Sequence, residues 1–289
     1  MIREIKRLIP MLVYAAFWLH FGGPSALRAQ DDQSQTATAA QPGTAPPVAD
    51  QISAVPNRPT FSTTAESVQL GVFEVEYGFE LADGHQNING LLKFGATRNL
   101  ELRFANNPFE RDSGIAGTGD SGAGCKYKLF TQRGWRPTFS LLYAALIPTA
   151  SAGVGVGAVS HSAGILASKD FGPHHLDFNE TVEWVGRTGA TGFDRNYFTA
   201  LAYSHGIHGK WGMTGEIAGF SWTNSTNPAT MTLLGSAIYT VSPRLVVDGG
   251  VYVAAYGHLP RETFFCGITY SIADLYHHQR GKPKRAHHA

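Results

Sequence analysis

Residues 71–81 alternate almost without error. Phe73, Val75, Tyr77, Phe79 and Leu81 share one parity, and Glu74, Glu76, Gly78 and Glu80 share the other. A β-strand sends successive side chains to opposite faces, so this segment has one apolar and one acidic face. The same period returns about a dozen times with few helical stretches between. Behind an export signal, that pattern predicts a transmembrane antiparallel β-barrel of about twelve strands, of the Gram-negative outer-membrane type. A soluble two-sheet sandwich is the competing fold. The evenly spaced long strands and the signal favour the barrel.

The ends are of a different kind. Residues 1–29 read as a cleavable signal: Arg3, Lys6 and Arg7 precede an apolar stretch too short to span a bilayer comfortably, and Leu27-Arg28-Ala29 suits cleavage. Residues 30–59, rich in Gln, Thr, Ala and Pro, bury too little apolar surface to offset ordering entropy. They are expected to be a disordered periplasmic linker. Residues 60–272 form the expected barrel domain, and 273–289 a basic, His-rich, solvated tail. The formal charge of +1 gives no global field for nucleic acid. The 33 glycines and 11% aromatic content suit tight turns and interfacial aromatic girdles.

Twelve strands are expected at 70–81, 87–96, 100–106, 121–130, 137–147, 159–168, 175–186, 196–205, 211–220, 229–240, 245–256 and 262–272. Glu180 breaks the alternation of the seventh. A Gly- and Asp-rich loop is expected at 107–120. Short connections at 97–99, 131–136, 170–174, 206–210 and 242–244 alternate with mostly longer ones. Short periplasmic turns and longer outer loops produce that rhythm.

Glu74, Glu76, Glu80, Lys93, Glu101, Arg103, Lys126, Lys128, Glu183, Glu216 and Asp248 fall on the inward parity, and are the candidate lumen lining. Charges facing lipid cost several kcal/mol near the bilayer midplane, so parity decides their direction. They serve either to select solutes or to fill the lumen as a network of opposite charges, since twelve strands lie between filled and open barrels. Glu74, Glu76, Glu101, Arg103, Lys126 and Lys128 are expected to cluster near one wall. Cys125 and Cys266 fall on the outward parity of non-neighbouring strands, which excludes the Cα separation of ~4.4–6.8 Å that a disulfide needs. Two free, buried thiols are expected. The tail histidines lack the fixed geometry of a metal site, so no metal and no cofactor is implied. His161 and Ser162 are adjacent and so point to opposite faces of a strand, and no Gly-x-Ser-x-Gly elbow is present. No catalytic residue is implied.

Asn57-Arg58-Pro59-Thr60-Phe61, Glu66-Ser67-Val68 and the 71–79 strand resemble the amino-terminal signature of the outer-membrane transporters named after the MetA pathway of phenol degradation. Leu91-Leu92-Lys93-Phe94-Gly95 with Asn99-Leu100-Glu101-Leu102-Arg103 resembles that family's second hairpin, and Gly124-Cys125-Lys126-Tyr127-Lys128 its fourth strand. Leu245-Val246-Val247-Asp248 and the closing 264–272 strand also fit. The resemblance spans roughly 57–272. It implies an outer-membrane barrel that passes hydrophobic or aromatic compounds without a reaction, in contact with membrane lipid and the outer-membrane assembly machinery. The family supplies no catalytic residues. The alternative class is a non-conducting structural or surface-binding barrel.

Overall fold

The alternating segments form strands that pair antiparallel in sequence order. The computed structural model describes residues 52–221, 229–257 and 261–276. The expected signal, residues 30–51 of the expected linker and residues 277–289 of the tail lie outside the described residues. The strands are β1 (Val72–Ala82), β2 (His85–Gly95), β3 (Leu100–Asp112), β4 (Ile115–Gly117), β5 (Ser121–Phe130), β6 (Thr138–Ile147), β7 (Ser160–Phe171), β8 (His174–Gly186), β9 (Phe193–His208), β10 (Trp211–Ser221), β11 (Thr230–Ser242), β12 (Leu245–Tyr256) and β13 (Glu262–Asp274).

The wall closes because β1 pairs with both β2 and β13, from Val72↔Asp274 to Leu81↔Phe264 on the β13 side, while β2 also pairs with β3. The three-residue β4 only extends the β3 hairpin. Twelve strands therefore make a closed antiparallel barrel. Closure leaves no sheet edge, which is what lets strands sit in hydrocarbon.

The faces sort as the parity requires. Glu74, Lys93, Glu101 and Lys126 are fully buried, whereas Phe79, Leu102, Phe104, Leu201, Met213 and Leu233 are exposed on the outer face. Aromatic pairs band the outer surface at the short-turn end: Phe130 on Phe139 at 5.6 Å, Phe171 on His174 at 5.5 Å and Trp211 on Tyr239 at 4.7 Å. The His, Trp and Tyr rings among them combine an apolar body with a polar tip, which suits a membrane boundary. Connections at 96–99, 131–137, 172–173, 209–210 and 243–244 mark that end. The other end carries those at 113–120, 148–159 and 187–192, and also the tight turn at 83–84, where Gly84 takes φ 69°.

Three expectations need correction here. The third strand does not stop at Asn106 but runs to Asp112, so much of the expected 107–120 loop is β-structure. A register shift between Ile88 and Gly90 sets Asn107 and Pro108 in a bulge, where a residue without an N–H is tolerated. The barrel ends at Asp274 rather than Ile272. The cysteines are free but not buried by protein: Cys125 is half-buried and Cys266 exposed on the outer face. Glu180 does fall on the outer parity of β8, where it accepts a hydrogen bond from Thr199 Oγ1 at 2.7 Å on β9.

Leu201 lies mid-strand on the outer face of β9. Leu201→Arg is expected to lower stability by about 2–4 kcal/mol in urea titrations of the bilayer-embedded barrel. A loss below about 1 kcal/mol is the interfacial or solvent-facing value and contradicts this placement.

Candidate functional site

Inside the barrel the charged wall meets a stretch of main chain. Residues 52–71 enter at the short-turn end, where Ala54 N donates to Pro243 O at 2.7 Å, and return to it, where Gly71 N donates to Gly95 O at 2.7 Å. Between these points the segment is bonded to nearly every side of the cylinder, a set of contacts that only the lumen permits. The disorder expected for 30–59 therefore does not extend to its last eight residues.

The contacts follow one rule. Coil backbone has N–H and C=O groups that need partners, and the wall's own backbone groups are spent on its ladder. Inward side chains supply the partners. Glu74 accepts from Val55 N at 2.9 Å, and Glu76 accepts from Asn57 N at 2.9 Å and Arg58 N at 3.3 Å. Glu216, across the barrel on β10, accepts from Phe61 N at 2.8 Å and Ser62 N at 2.7 Å. Asn179 on β8 takes Thr63 N at 2.7 Å and returns a bond to Thr63 O at 2.8 Å. Ser168 on β7 takes Ala65 N at 2.7 Å, and Glu101 on β3 takes Val68 N at 2.9 Å. The lysines serve the carbonyls: Lys93 donates to Val55 O at 2.6 Å, and Lys126 to Thr64 O at 3.0 Å and Glu66 O at 2.5 Å.

The same groups neutralise one another. Lys93 Nζ lies 2.6 Å from Glu74 and is also bonded to Glu76. Glu101 holds Arg103 at 3.0 Å and Lys126 at 3.4 Å. Glu66, from the lumenal segment, holds Lys128 at 3.0 Å and accepts from Thr138 Oγ1 at 2.5 Å. Arg58 grips Asp248 through Nε and Nη2, both at 3.3 Å, and donates to Asn89 at 3.0 Å. Its guanidinium lies flat on Gly78 and Gly267, where a Cβ would occupy the same space. A buried charge without a partner is costly, so these pairings make a polar interior tolerable.

Above the segment, toward the loop end, the lumen holds a cavity of about 250 Å³. Residues 57–61 and Thr63 form its floor, and Glu80, Asn89, Arg103, Tyr252 and Phe265 line its walls. Phe61 meets Tyr252 edge-on at 5.0 Å, and Tyr252 lies over Phe265 at 6.2 Å. Glu80 accepts from Asn89 Nδ2 at 2.7 Å and from Tyr252 OH at 3.4 Å.

Ten of the eleven sequence-predicted lining residues therefore join two assemblies, the bonded segment and the cavity. Glu74, Glu76, Lys93, Glu101, Lys126, Lys128, Glu216 and Asp248 hold the lumenal segment directly or through its Glu66 and Arg58 side chains, and Arg103 is tied to them by Glu101 while facing the cavity. Glu80 belongs to the cavity alone, and Glu183 is half-buried on the inward parity of β8, outside both assemblies. Sequence reasoning missed the inward hydroxyls and amides: Thr138, Ser140, Ser168 and Asn179 serve the segment as fully as the carboxylates do. Their signal was the inward parity itself, which reasoning about charge passed over.

The class that the fold and its interior define is a closed β-barrel of the outer-membrane type with a lumenal amino-terminal segment. No protein-family model matches the chain, and no curated protein sequence matches it. Among solved structures it is similar to the COG4313 outer membrane channel from Pseudomonas putida F1, at 12% identity over 73% of this chain and 99% of that one, with a TM-score of 0.59. It is also similar to the NanC porin, at 9% identity over 69% of this chain and 100% of that one, TM-score 0.55. The KdgM porin in complex with disordered oligogalacturonate shares 12% identity over 69% of this chain and 99% of its own, TM-score 0.50. At these identities the likeness is one of fold.

Removing the paired acceptor of Phe61 and Ser62 tests how the segment is held. Glu216→Ala is expected to raise hydrogen exchange at those two amides by about tenfold or more, since each bond to a charged acceptor contributes ~1.5–3 kcal/mol. Unchanged protection there would show that Glu216 does not anchor the segment.

Proposed function

We propose that the protein is an outer-membrane channel for the passive passage of small hydrophobic or aromatic compounds, without a chemical reaction, closed on its short-turn side by residues 52–71. The observation that carries this reading is the cavity of about 250 Å³ within the lumen, walled by Tyr252 and Phe265 and floored by the segment's own Phe61. Small-molecule sites combine apolar walls with a few convergent polar groups, and this one has both. The barrel fold shared with outer-membrane channels and the resemblance to the MetA-pathway transporters support the same reading. On it, residues 1–29 are the export signal, the short-turn end faces the periplasm, and the outer-membrane assembly machinery inserts the barrel. The eleven inward charged residues line the lumen. Passage through the short-turn half requires residues 52–71 to shift, and water replaces their bonds to the wall as they do.

One observation favours a second reading. The segment is bonded so densely to the wall that a permanently closed, structural or surface-binding barrel is a coherent alternative.

A reversible lock separates the two. Thr64 Oγ1 and Ser168 Oγ lie 3.2 Å apart, so cysteines at both positions are placed to form a bridge. In a Thr64→Cys/Ser168→Cys chain that also carries Cys125→Ser and Cys266→Ser, planar-bilayer recordings are expected to show current under reductant and its loss under oxidant. Silence in both states would overturn the channel reading. Equal current in both would show that solutes pass without moving the segment.

A further inference from the structure

We propose that the lumenal cavity is a binding site for a small aromatic monocarboxylate, with the carboxylate held by Arg103 and the ring set among Phe61, Tyr252 and Phe265. The proposal deepens the channel reading and rests on it only for the claim that the bound molecule is cargo.

The cavity wall holds unused donors. A guanidinium carries five N–H groups in a fixed fork that matches a carboxylate. Among the described residues Arg103 spends one of them, from Nη1 to Glu101 at 3.0 Å. Glu101 is shared in turn with Lys126 and Val68 N, so this carboxylate serves two cations at once. Of these three charged groups Arg103 lines the cavity, so the surplus positive charge faces it there. A cation only partly neutralised is costly to bury, and a ligand carboxylate accepting from the free guanidinium N–H groups relieves it.

The other charges at the cavity are already engaged. Arg58 is spent on Asp248, Asn89 and the Cys266 carbonyl. Glu76 is taken by Lys93 and two backbone N–H groups, and Glu80 by Asn89 and Tyr252, with His85 at 3.9 Å. The charged donor left with free N–H groups in the cavity is therefore Arg103, which favours an anion over an amine at that wall. The volume of about 250 Å³ falls below the ~300–1,000 Å³ of drug-sized sites and suits a single ring. The three aromatic side chains, with centroids 5.0 and 6.2 Å apart, offer it edge and face contacts.

Calorimetric titration of the refolded full chain in detergent with benzoate, phenol and benzylamine tests the site without needing conduction. Benzoate is expected to bind at least about tenfold more tightly than either competitor, the size of one charge-assisted hydrogen bond. Arg103→Gln is expected to erase most of that preference while leaving phenol binding unchanged. Heat-modifiable gel mobility and circular dichroism confirm the barrel in each variant. If Arg103→Gln fails to fold, Arg103→Lys, which keeps the charge beside Glu101 but loses the planar fork, decides the matter by weakening benzoate several-fold relative to phenol. Preference for phenol or benzylamine, no binding of any of the three, or a benzoate preference that survives the substitutions would overturn the site. Benzoate binding by a barrel that carries no current would leave the site standing and the channel reading fallen; current without benzoate preference would do the reverse.

Discussion

The structure turns on the need of a buried main chain for hydrogen-bond partners. A barrel wall spends its own N–H and C=O groups on its ladder, so a segment crossing the lumen must be satisfied by inward side chains. Carboxylates on β1, β3 and β10 take the segment's N–H groups, and lysines on β2 and β5 take its carbonyls. The charges that read as a solute-selecting lining are, for the most part, a cradle for backbone. Because the recognised groups are peptide groups, several segment positions are held with little dependence on their side chains. Arg58 and Glu66 are the exceptions, each reaching back to a wall residue of opposite charge.

That arrangement bears on the barrel as well as on the segment. Lys93 sits between Glu74 and Glu76, and Lys126 beside Glu101, all of them buried. Removing one partner from such a group strands the other, at a cost of ~3–5 kcal/mol, whereas the intact group is close to neutral for stability. Wall and segment therefore specify each other. Gly78 and Gly267 fit the same logic: on the inward parity of β1 and β13 they leave room for the Arg58 guanidinium.

The wall was legible in the sequence and the filling was not. Alternation at 71–81 and in its later copies placed all twelve barrel strands, because hydrocarbon on one side and polar atoms on the other impose a period of two that no tertiary contact overrides. The misread stretch, 107–120, is where the chain leaves that constraint: β3 and β4 rise into the loop end with a bulge at Asn107 and Pro108. Residues 52–59 were misread for a different reason. Their composition is that of a linker, and what orders them lies far along the chain, in Glu74, Glu76, Lys93 and Asp248. A segment that folds by lending its backbone to distant side chains leaves no periodic mark of its own. Asn57, Arg58 and Phe61 are marked in the sequence only by a resemblance to the MetA-pathway transporters, whereas parity marks Arg103.

The most direct test of this account compares single-channel conductance of the intact chain with that of a chain lacking residues 52–69. The account predicts low or intermittent current from the intact protein and a steady, larger conductance from the deletion, because the segment that fills the short-turn half is gone. Equal conductance in two correctly folded barrels would contradict it, and would mean that the lumen is not closed by its own amino-terminal chain.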